Sequence, residues 1–500
     1  MNRHQPSAIG HRPSAIGYPM LLAGVLFLAV SPTRPLAAQG FDRTKAPVVA
    51  APPAFRMPAV QTARLPNGIT IDLVEMHELP LVEVDIMIRG AGARMDGDQA
   101  GLATFTAGML DEGAGTRDAL GIASEAAYLG AIYSTGADWD NAEVELSVPK
   151  RNLGPALDLM ADLVLRPRFS ASEVQKQRDL RLANIISGRD DPGTVNGIVL
   201  NALLFAPGHP FHRPIIGDSA SAARLDSAAV RGYYQAQYTP DRTTFVVTGD
   251  LTMAEARQMI AQRFGGWRMD RMARRDPPTA ATLPTPVDRS TRIFLVDKPG
   301  AAQSVIALAR PGVERSNPDY YAIQVMNTIL GGSFSSRLNQ NLRETKGWTY
   351  GAGSGFSYRP VPGPFTARAS VRTDVTDSSL MEFRREIALI RDSMVDPVEL
   401  QRAQAYLALG LPGDFETTGQ MADQVGELLR FGLPFTWWNS YVPKVMAVTR
   451  ADVQRVARQY LDPSRMTIVV VGDLAKIRAG VEATGIGPVE VRDVVGNPVP

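Results

Sequence analysis

Thr104, Ala107 and Gly108 occupy the spacing of a metal-binding helix without its side chains. They lie in Gly101–Thr116, GLATFTAGMLDEGAGT, where Leu102, Phe105, Met109 and Leu110 recur at helical spacing and predict one apolar stripe. Positions 104 and 108 are i and i+4, so they share a face away from that stripe. Two histidines at that spacing bind zinc, with a glutamate just before the second as general base. Here the three positions carry a hydroxyl, a methyl and a hydrogen. Beyond residue 38 the only histidines are His77, His209 and His212. His209 and His212, in GHPFH, read as a structural turn, with a rebuilt metal site as the alternative. Ser333, Ser335 and Ser336 could act as nucleophiles, but no histidine lies near them in sequence and no nucleophile-elbow pattern surrounds them.

A second constellation runs from Gly331 to Phe356, GGSFSSRLNQNLRETKGWTYGAGSGF. Leu338, Leu342 and the aliphatic stem of Lys346 follow one helical face, and Gly347 is a C-terminal stop. Trp348–Tyr350 then enter a strand. Gly351, Gly353 and Gly355 alternate along it, a pattern that permits close backbone approach or marks a bulge.

The elements that position these residues form a duplicated pattern. Asn67-Gly68 signals a tight turn before strand-like runs at Ile69–Val74 and Leu81–Arg89. A later helix is expected over Ala171–Ser187, opened by a capping box of Ser170 and Glu173. YQAQYTPDRTTFVVTGDL, from Tyr234 to Leu251, is echoed by RVARQYLDPSRMTIVVVGDL, from Arg455 to Leu474. Gly249 pairs with Gly472, and 472 − 249 = 223 residues, a period that means two related domains. Arg268–Asp288 carries charge, prolines and no apolar period, and reads as a Pro-rich linker and flexible hinge. The second domain starts with a strand at Thr291–Val296. The fold expected is α+β, each domain a mainly antiparallel sheet packed with helices.

Composition narrows the setting. Apolar residues make up 45% of the 500-residue chain, enough for large cores, and a net charge of +1 gives no case for nucleic acid or a membrane surface. Arg3, His4, His11 and Arg12 precede the apolar run Met20–Val30, followed by Pro32, Pro35, Ala37 and Ala38. This reads as a secretory signal cleaved near Ala38 or Gln39, with an uncleaved anchor as the alternative. The apolar run is shorter than the about 20 residues of a membrane span. The absence of cysteine excludes disulfides, thiolate metal sites and a lipidated cysteine. The expected location is the periplasm.

Taken together, these runs resemble the insulinase, or M16, family of zinc peptidases and their inactive homologues. The resemblance covers the whole chain beyond the signal. It implies a signal at 1–38, a tether at 39–60, an N-terminal-type domain at 61–267, a linker at 268–288, a C-terminal-type domain at 289–482 and a tail at 483–500. It places the zinc-binding His-x-x-Glu-His motif on Thr104 to Gly108, and the third ligand, a glutamate in active members, on Asn184, where 184 − 104 = 80 residues. Zinc needs three N/O ligands and an open water position, so this chain is expected to bind no metal itself. The resemblance also implies that Arg343 and Tyr350 reach substrate: the guanidinium can hold a peptide carbonyl and the hydroxyl can donate to an oxyanion. The alternatives are an Arg343–Glu344 pair and a core tyrosine. The implied role is the non-catalytic subunit of a heterodimeric metallopeptidase, with zinc on a partner subunit bearing His-x-x-Glu-His and a peptide as substrate. The alternative is an inactive peptide-binding or assembly protein with no peptidase partner.

Overall fold

The computed structural model describes residues 54–268 and 276–499. The signal segment and residues 39–53 of the expected tether lie outside the described residues. The first half carries β1 (Gln61–Arg64), β2 (Thr70–Glu75), β3 (Leu81–Arg89), β4 (Ile132–Ala137), β5 (Asn141–Pro149) and β6 (Thr243–Gly249). Its helices are α1 (Leu102–Gly108), α2 (Ala119–Leu129), α3 (Leu153–Leu165), α4 (Ala171–Gly188), α5 (Pro192–Leu204), α6 (Ser219–Ala222), α7 (Ser227–Gln237) and α8 (Met253–Phe264). The second half carries β7 (Arg292–Asp297), β8 (Gln303–Pro311), β9 (Thr349–Phe356), β10 (Pro364–Arg372), β11 (Thr467–Gly472) and β12 (Val489–Arg492). Its helices are α9 (Tyr320–Leu330), α10 (Arg337–Asn339), α11 (Thr376–Asp392), α12 (Pro397–Gly410), α13 (Thr418–Phe431), α14 (Tyr441–Met446), α15 (Arg450–Tyr460) and α16 (Leu474–Ala483).

Each helix therefore has a counterpart eight places later, and the sheets match strand for strand. Their orders are β1-β2-β6-β3-β5-β4 and β12-β7-β11-β8-β10-β9. Most pairs are antiparallel, with β2·β6 and β7·β11 parallel in the same place. The halves differ only at one edge, where β1 runs antiparallel to β2 and β12 parallel to β7. The repeated Gly-Asp-Leu follows the central strand in both. At Gly249, φ is +129° and a Cβ would sit 2.2 Å from the Leu81 carbonyl oxygen, so the bend requires glycine.

One face of each sheet is covered by helices of its own half. The other face is covered by a helix from the opposite half. α5 leaves the first half and lies on β8 and β11, while α13 lies on β3 and β6. Val195, Val199, Leu200, Leu203 and Leu204 of α5 pack on Phe294, Val296, Ala307, Ala309, Val469 and Val471. Asn196, buried among them, donates to the Val305 and Val469 carbonyls at 3.2 and 3.0 Å. The reverse contact is mixed: Val74 and Val246 join the apolar cluster of Met421, Ala422 and Val425 of α13, while Asp85, Glu143 and Glu145 lie beside that helix and its Arg430 meets Glu143 at 2.7 Å and Asp138 at 3.2 Å.

Three expectations change here. The described linker is anchored, not a free hinge: Arg94 donates to the Pro278 carbonyl, Val287 to the Leu204 carbonyl, and Asp288 pairs with Arg465. The end of the expected tether belongs to the second domain, because Phe55 packs on Phe415 at 4.5 Å and buried Met57 donates to Asn439 at 2.8 Å. The expected tail contributes β12, tied down by Arg292–Glu490 at 2.5 Å. Apolar anchors too sparse to show a period made all three segments look unstructured. Ser170 does stand at the N-cap of α4, but its side chain makes no capping bond, so the capping box is absent.

Two predictions follow from the exchange. Asn196→Ala leaves two strand carbonyls without their donor and is expected to cost about 1–3 kcal/mol in denaturant unfolding. An unchanged midpoint would show that α5 is held by apolar contact alone. The second concerns Asp85, which faces Glu83, Glu143, Glu145, Asp423 and Arg430. Burial first, then the neighbouring carboxylates, push its pKa from 3.8 up to about 9. The folded state then keeps a proton the unfolded state has lost, so stability falls as pH rises between these values. Asp85→Asn should match wild type near pH 4 and become more stable than it by ~1 kcal/mol or more at pH 8. A constant difference across that range in thermal melts would refute the assignment.

Candidate functional site

α1 is positioned from both ends. Gly101, its N-cap, has φ +92°, and a Cβ there would lie 2.3 Å from the Ile216 carbonyl oxygen. Only glycine lets the 215–217 loop lie this close. The Asp96 carboxylate accepts from the N–H groups of Gly101 and Ala103, both at 2.7 Å, satisfying donors the helix start leaves open. Burial lifts the Asp96 pKa to about 7, against those N–H bonds and Arg181.

The structure separates the expected motif residues. Gly108 of α1 and Asn184 of α4 line one pocket of about 190 Å³, with Phe105, Met109, Gln177, Leu180, Arg181 and Ile216. Ala107, away from the apolar stripe, is nonetheless fully buried. Thr104 is half-buried, and its hydroxyl lies within hydrogen-bond distance of the Gly101 and Ile215 carbonyls, at 3.1 and 3.3 Å.

The residue not assigned a role from sequence is Arg181. It lies on α4, three residues before Asn184. Its Nη1 donates to the Thr104 hydroxyl at 2.9 Å, the Gly101 carbonyl at 3.0 Å and the Ile216 carbonyl at 3.4 Å. The guanidinium stands 5.0 Å from the centre of the Phe105 ring. Burial lowers its pKa to about 10, opposed by Asp96, which leaves it charged at neutral pH. The signal available in sequence was the i, i+4, i+7 row Gln177, Arg181, Asn184, which turns one face of α4 toward α1.

Zinc does not suit this arrangement. At the positions the resemblance points to, a hydroxyl, a hydrogen and a carboxamide stand in place of two imidazoles and a carboxylate, a buried methyl stands in place of the general base, and the Arg181 cation bonds the first of them, Thr104. Among the described residues no group of three or more His, Asp or Glu side chains is placed to hold a metal. His209 does not rebuild one. Its Nδ1 accepts from the Phe211 N–H at 3.0 Å between the Phe205 and Phe211 rings, and burial lowers its pKa to about 4. His212 bonds the Phe205 carbonyl at 2.7 Å. Both histidines hold the turn after α5.

The second constellation is built differently. Arg337–Asn339 is α-helical and Gln340–Thr345 forms a π-helical turn, so Arg343 sits on a geometry that often marks functional positions. Leu338 and Leu342 are fully buried, and Gly347 ends the turn at φ +62°. Arg343 pairs with Glu344 at 3.2 Å and lies 4.9 Å from the Phe334 ring centre. Tyr350, on edge strand β9, is 89% exposed and is no core residue. No hydrogen bond or ion pair among the described residues joins Arg343 or Tyr350 to α1 or α4.

Comparison with known proteins identifies the pattern. Residues 75–192 match the family model described as insulinase (peptidase family M16), and residues 224–407 match the one described as peptidase M16 inactive domain. The chain belongs to peptidase family M16. It is 26% identical over 424 residues to an uncharacterized zinc protease of Mycobacterium leprae, covering 84% of this chain and 94% of that one. An uncharacterized zinc protease of Bacillus subtilis is 23% identical, with 72% of this chain and 86% of that one covered. Among solved structures, a peptidase M16 inactive domain from Pseudomonas fluorescens superposes with a TM-score of 0.75 at 27% identity, covering 83% of this chain and 98% of that one. A protease from Helicobacter pylori shares the fold, with a TM-score of 0.77 at 16% identity over 83% of this chain and 100% of that one. This M16 chain is thus a zinc-protease-like homologue of the inactive type.

Restoring Thr104→His, Ala107→Glu, Gly108→His and Asn184→Glu together should not create a tight zinc site while Arg181 remains. Adding Arg181→Ala should raise zinc affinity by about tenfold or more, because an unscreened like charge is removed. Tight binding of one zinc by the four-residue variant, measured by calorimetry, would show that Arg181 is no barrier.

Proposed function

We propose that this chain is the non-zinc subunit of a two-chain, exported M16 metallopeptidase. The observation that carries the proposal is the contrast between its two halves. The zinc positions are closed by a guanidinium, yet Tyr350 stands almost fully exposed on an edge strand just after the turn bearing Arg343. A large aromatic with no packing duty is available to a ligand. In the assembled enzyme a partner subunit bearing His-x-x-Glu-His supplies zinc and the general base. Arg343 orients a substrate carbonyl, and the Tyr350 hydroxyl donates to the oxyanion of the tetrahedral intermediate.

Edge strands support a peptide as the ligand. β4 and β9 end their sheets, and an extended peptide can add to such an edge through main-chain hydrogen bonds. Tyr128 and Ile132, 88% and 76% exposed, lie beside and on β4. Export rests on the N-terminal pattern of charge, apolar run and small residues. No described helix is long and apolar enough to cross a membrane.

The Arg343–Glu344 pair favours a second reading, in which the chain holds peptide or assembles a complex without a peptidase partner. Purification from the native envelope, with metal analysis of what copurifies, separates the two. A copurifying zinc-bearing M16 chain and peptide cleavage on mixing are expected. Arg343→Ala or Tyr350→Phe should then lower that cleavage by roughly 10²-fold or more. Wild-type cleavage from mixtures containing the double variant would defeat the catalytic role.

A further inference from the structure

Arg181 is a part-buried cation with three of its five N–H donors unspent. All three of its hydrogen bonds leave from Nη1 and end on neutral oxygens. Nη2 and Nε make none, and no described carboxylate lies within ion-pair distance. Arg94, Arg315 and Arg337 are neutralised, by Asp140 at 2.5 Å, Glu427 at 3.1 Å and Glu399 at 2.7 Å; Arg181 instead belongs with Arg289 and Arg359, which burial perturbs and no described carboxylate pairs. The nearest acid to Arg181 in electrostatic terms is Asp96, whose oxygens already accept two backbone N–H groups. A guanidinium in a low-dielectric setting gains most from a carboxylate that matches its planar fork.

The pocket wall fits that ligand. At Gly108 a Cβ would meet nothing within 4 Å, so the space beside the guanidinium is open. Asn184 is exposed and offers two amide donors from the same wall. Leu180 and Ile216, both exposed, form an apolar rim for the chain that carries the anion. One cation and one amide suit a single negative charge. Lys176, the next cation along α4, is already paired with Glu173 at 3.1 Å and Glu112 at 3.8 Å, so a phosphate dianion has no second cation here.

We infer that the former zinc site has become a carboxylate-binding site, in which Arg181 and Asn184 hold a carboxylate of a peptide, either its C-terminus or an acidic side chain. This rests on the reading that the chain binds peptide. The guanidinium takes over the place of a metal cation, but it holds an anion and activates no water.

The test is fluorescence anisotropy with an N-terminally labelled octapeptide of Ala, Leu and Ser. Three forms are compared: the free acid, the C-terminal amide, and the amide with one internal Glu. The free acid should bind wild type about tenfold tighter than the plain amide, the worth of a charge-assisted pair. Arg181→Gln should erase that preference. Gly108→Asp, which places a carboxylate in open space without a clash, should erase it too and keeps the test independent of any folding defect at Arg181. Binding of the Glu peptide at the acid's affinity assigns the site to carboxylates generally, and at the amide's affinity to chain termini. Equal binding of acid and amide to wild type overturns the inference and leaves peptide binding standing. Binding of none of the three overturns peptide binding itself.

Discussion

The fold depends on an exchange of helices. A sheet of this type has two faces, and each half supplies helices enough for only one. α5 crosses to seal the apolar face of β8 and β11, and α13 crosses to cover the mixed face of β3 and β6, where Asp85 lies beside Val246. Neither sheet is complete without the other half, so the duplication yields one interlocked unit rather than two beads. Burying apolar sheet surface is worth about 25 cal/mol per Å², and both crossings do so, through the α5 cluster on β8 and β11 and through Val246 beside α13. The α13 contact is held by Arg430 against carboxylates and encloses Asp85 at a cost in desolvation.

That interlocked frame fixes how α1 and α4 meet. α4 runs directly into α5, so its placement is tied to a helix buried in the opposite half. The face it turns to α1 carries Gln177, Arg181 and Asn184. More than residue identity at 104, 107, 108 and 184 then sets this pocket apart. The Arg181 guanidinium bonds the Thr104 hydroxyl and two carbonyls, and its charge repels a dication there. In the second half the exposed positions lie elsewhere, with Tyr350 on edge strand β9 and Arg343 on a π-helical turn, while the counterparts of α1 and α4, α9 and α12, pack closely together.

Much of the fold was legible because its signals are local. Alternation specified β3 over Leu81–Arg89, and the repeated Gly-Asp-Leu marked the duplication, since the bend after each central strand tolerates no side chain at Gly249. The segments misjudged from sequence were those whose partners lie far away in the chain. Phe55 and Met57 look like part of a proline-rich tether until Phe415 and Asn439 are beside them. Val489–Arg492 looks like a tail until β7 offers an edge. The crossing of α5 and α13 carries no local mark, because a buried helix reads the same whichever half it covers.

For the site, the sequence alone determined what chemistry is absent. Thr104, Ala107, Gly108 and Asn184 offer no histidine or carboxylate whatever the fold, because ligand capacity belongs to the side chain itself. Tertiary structure decided what replaced it. Arg181 acts on Thr104 only because α4 folds against α1, and its lack of a carboxylate partner depends on where every other acid comes to rest. Charge pairing is a property of distances between residues far apart in the chain, and those distances exist only in the folded state.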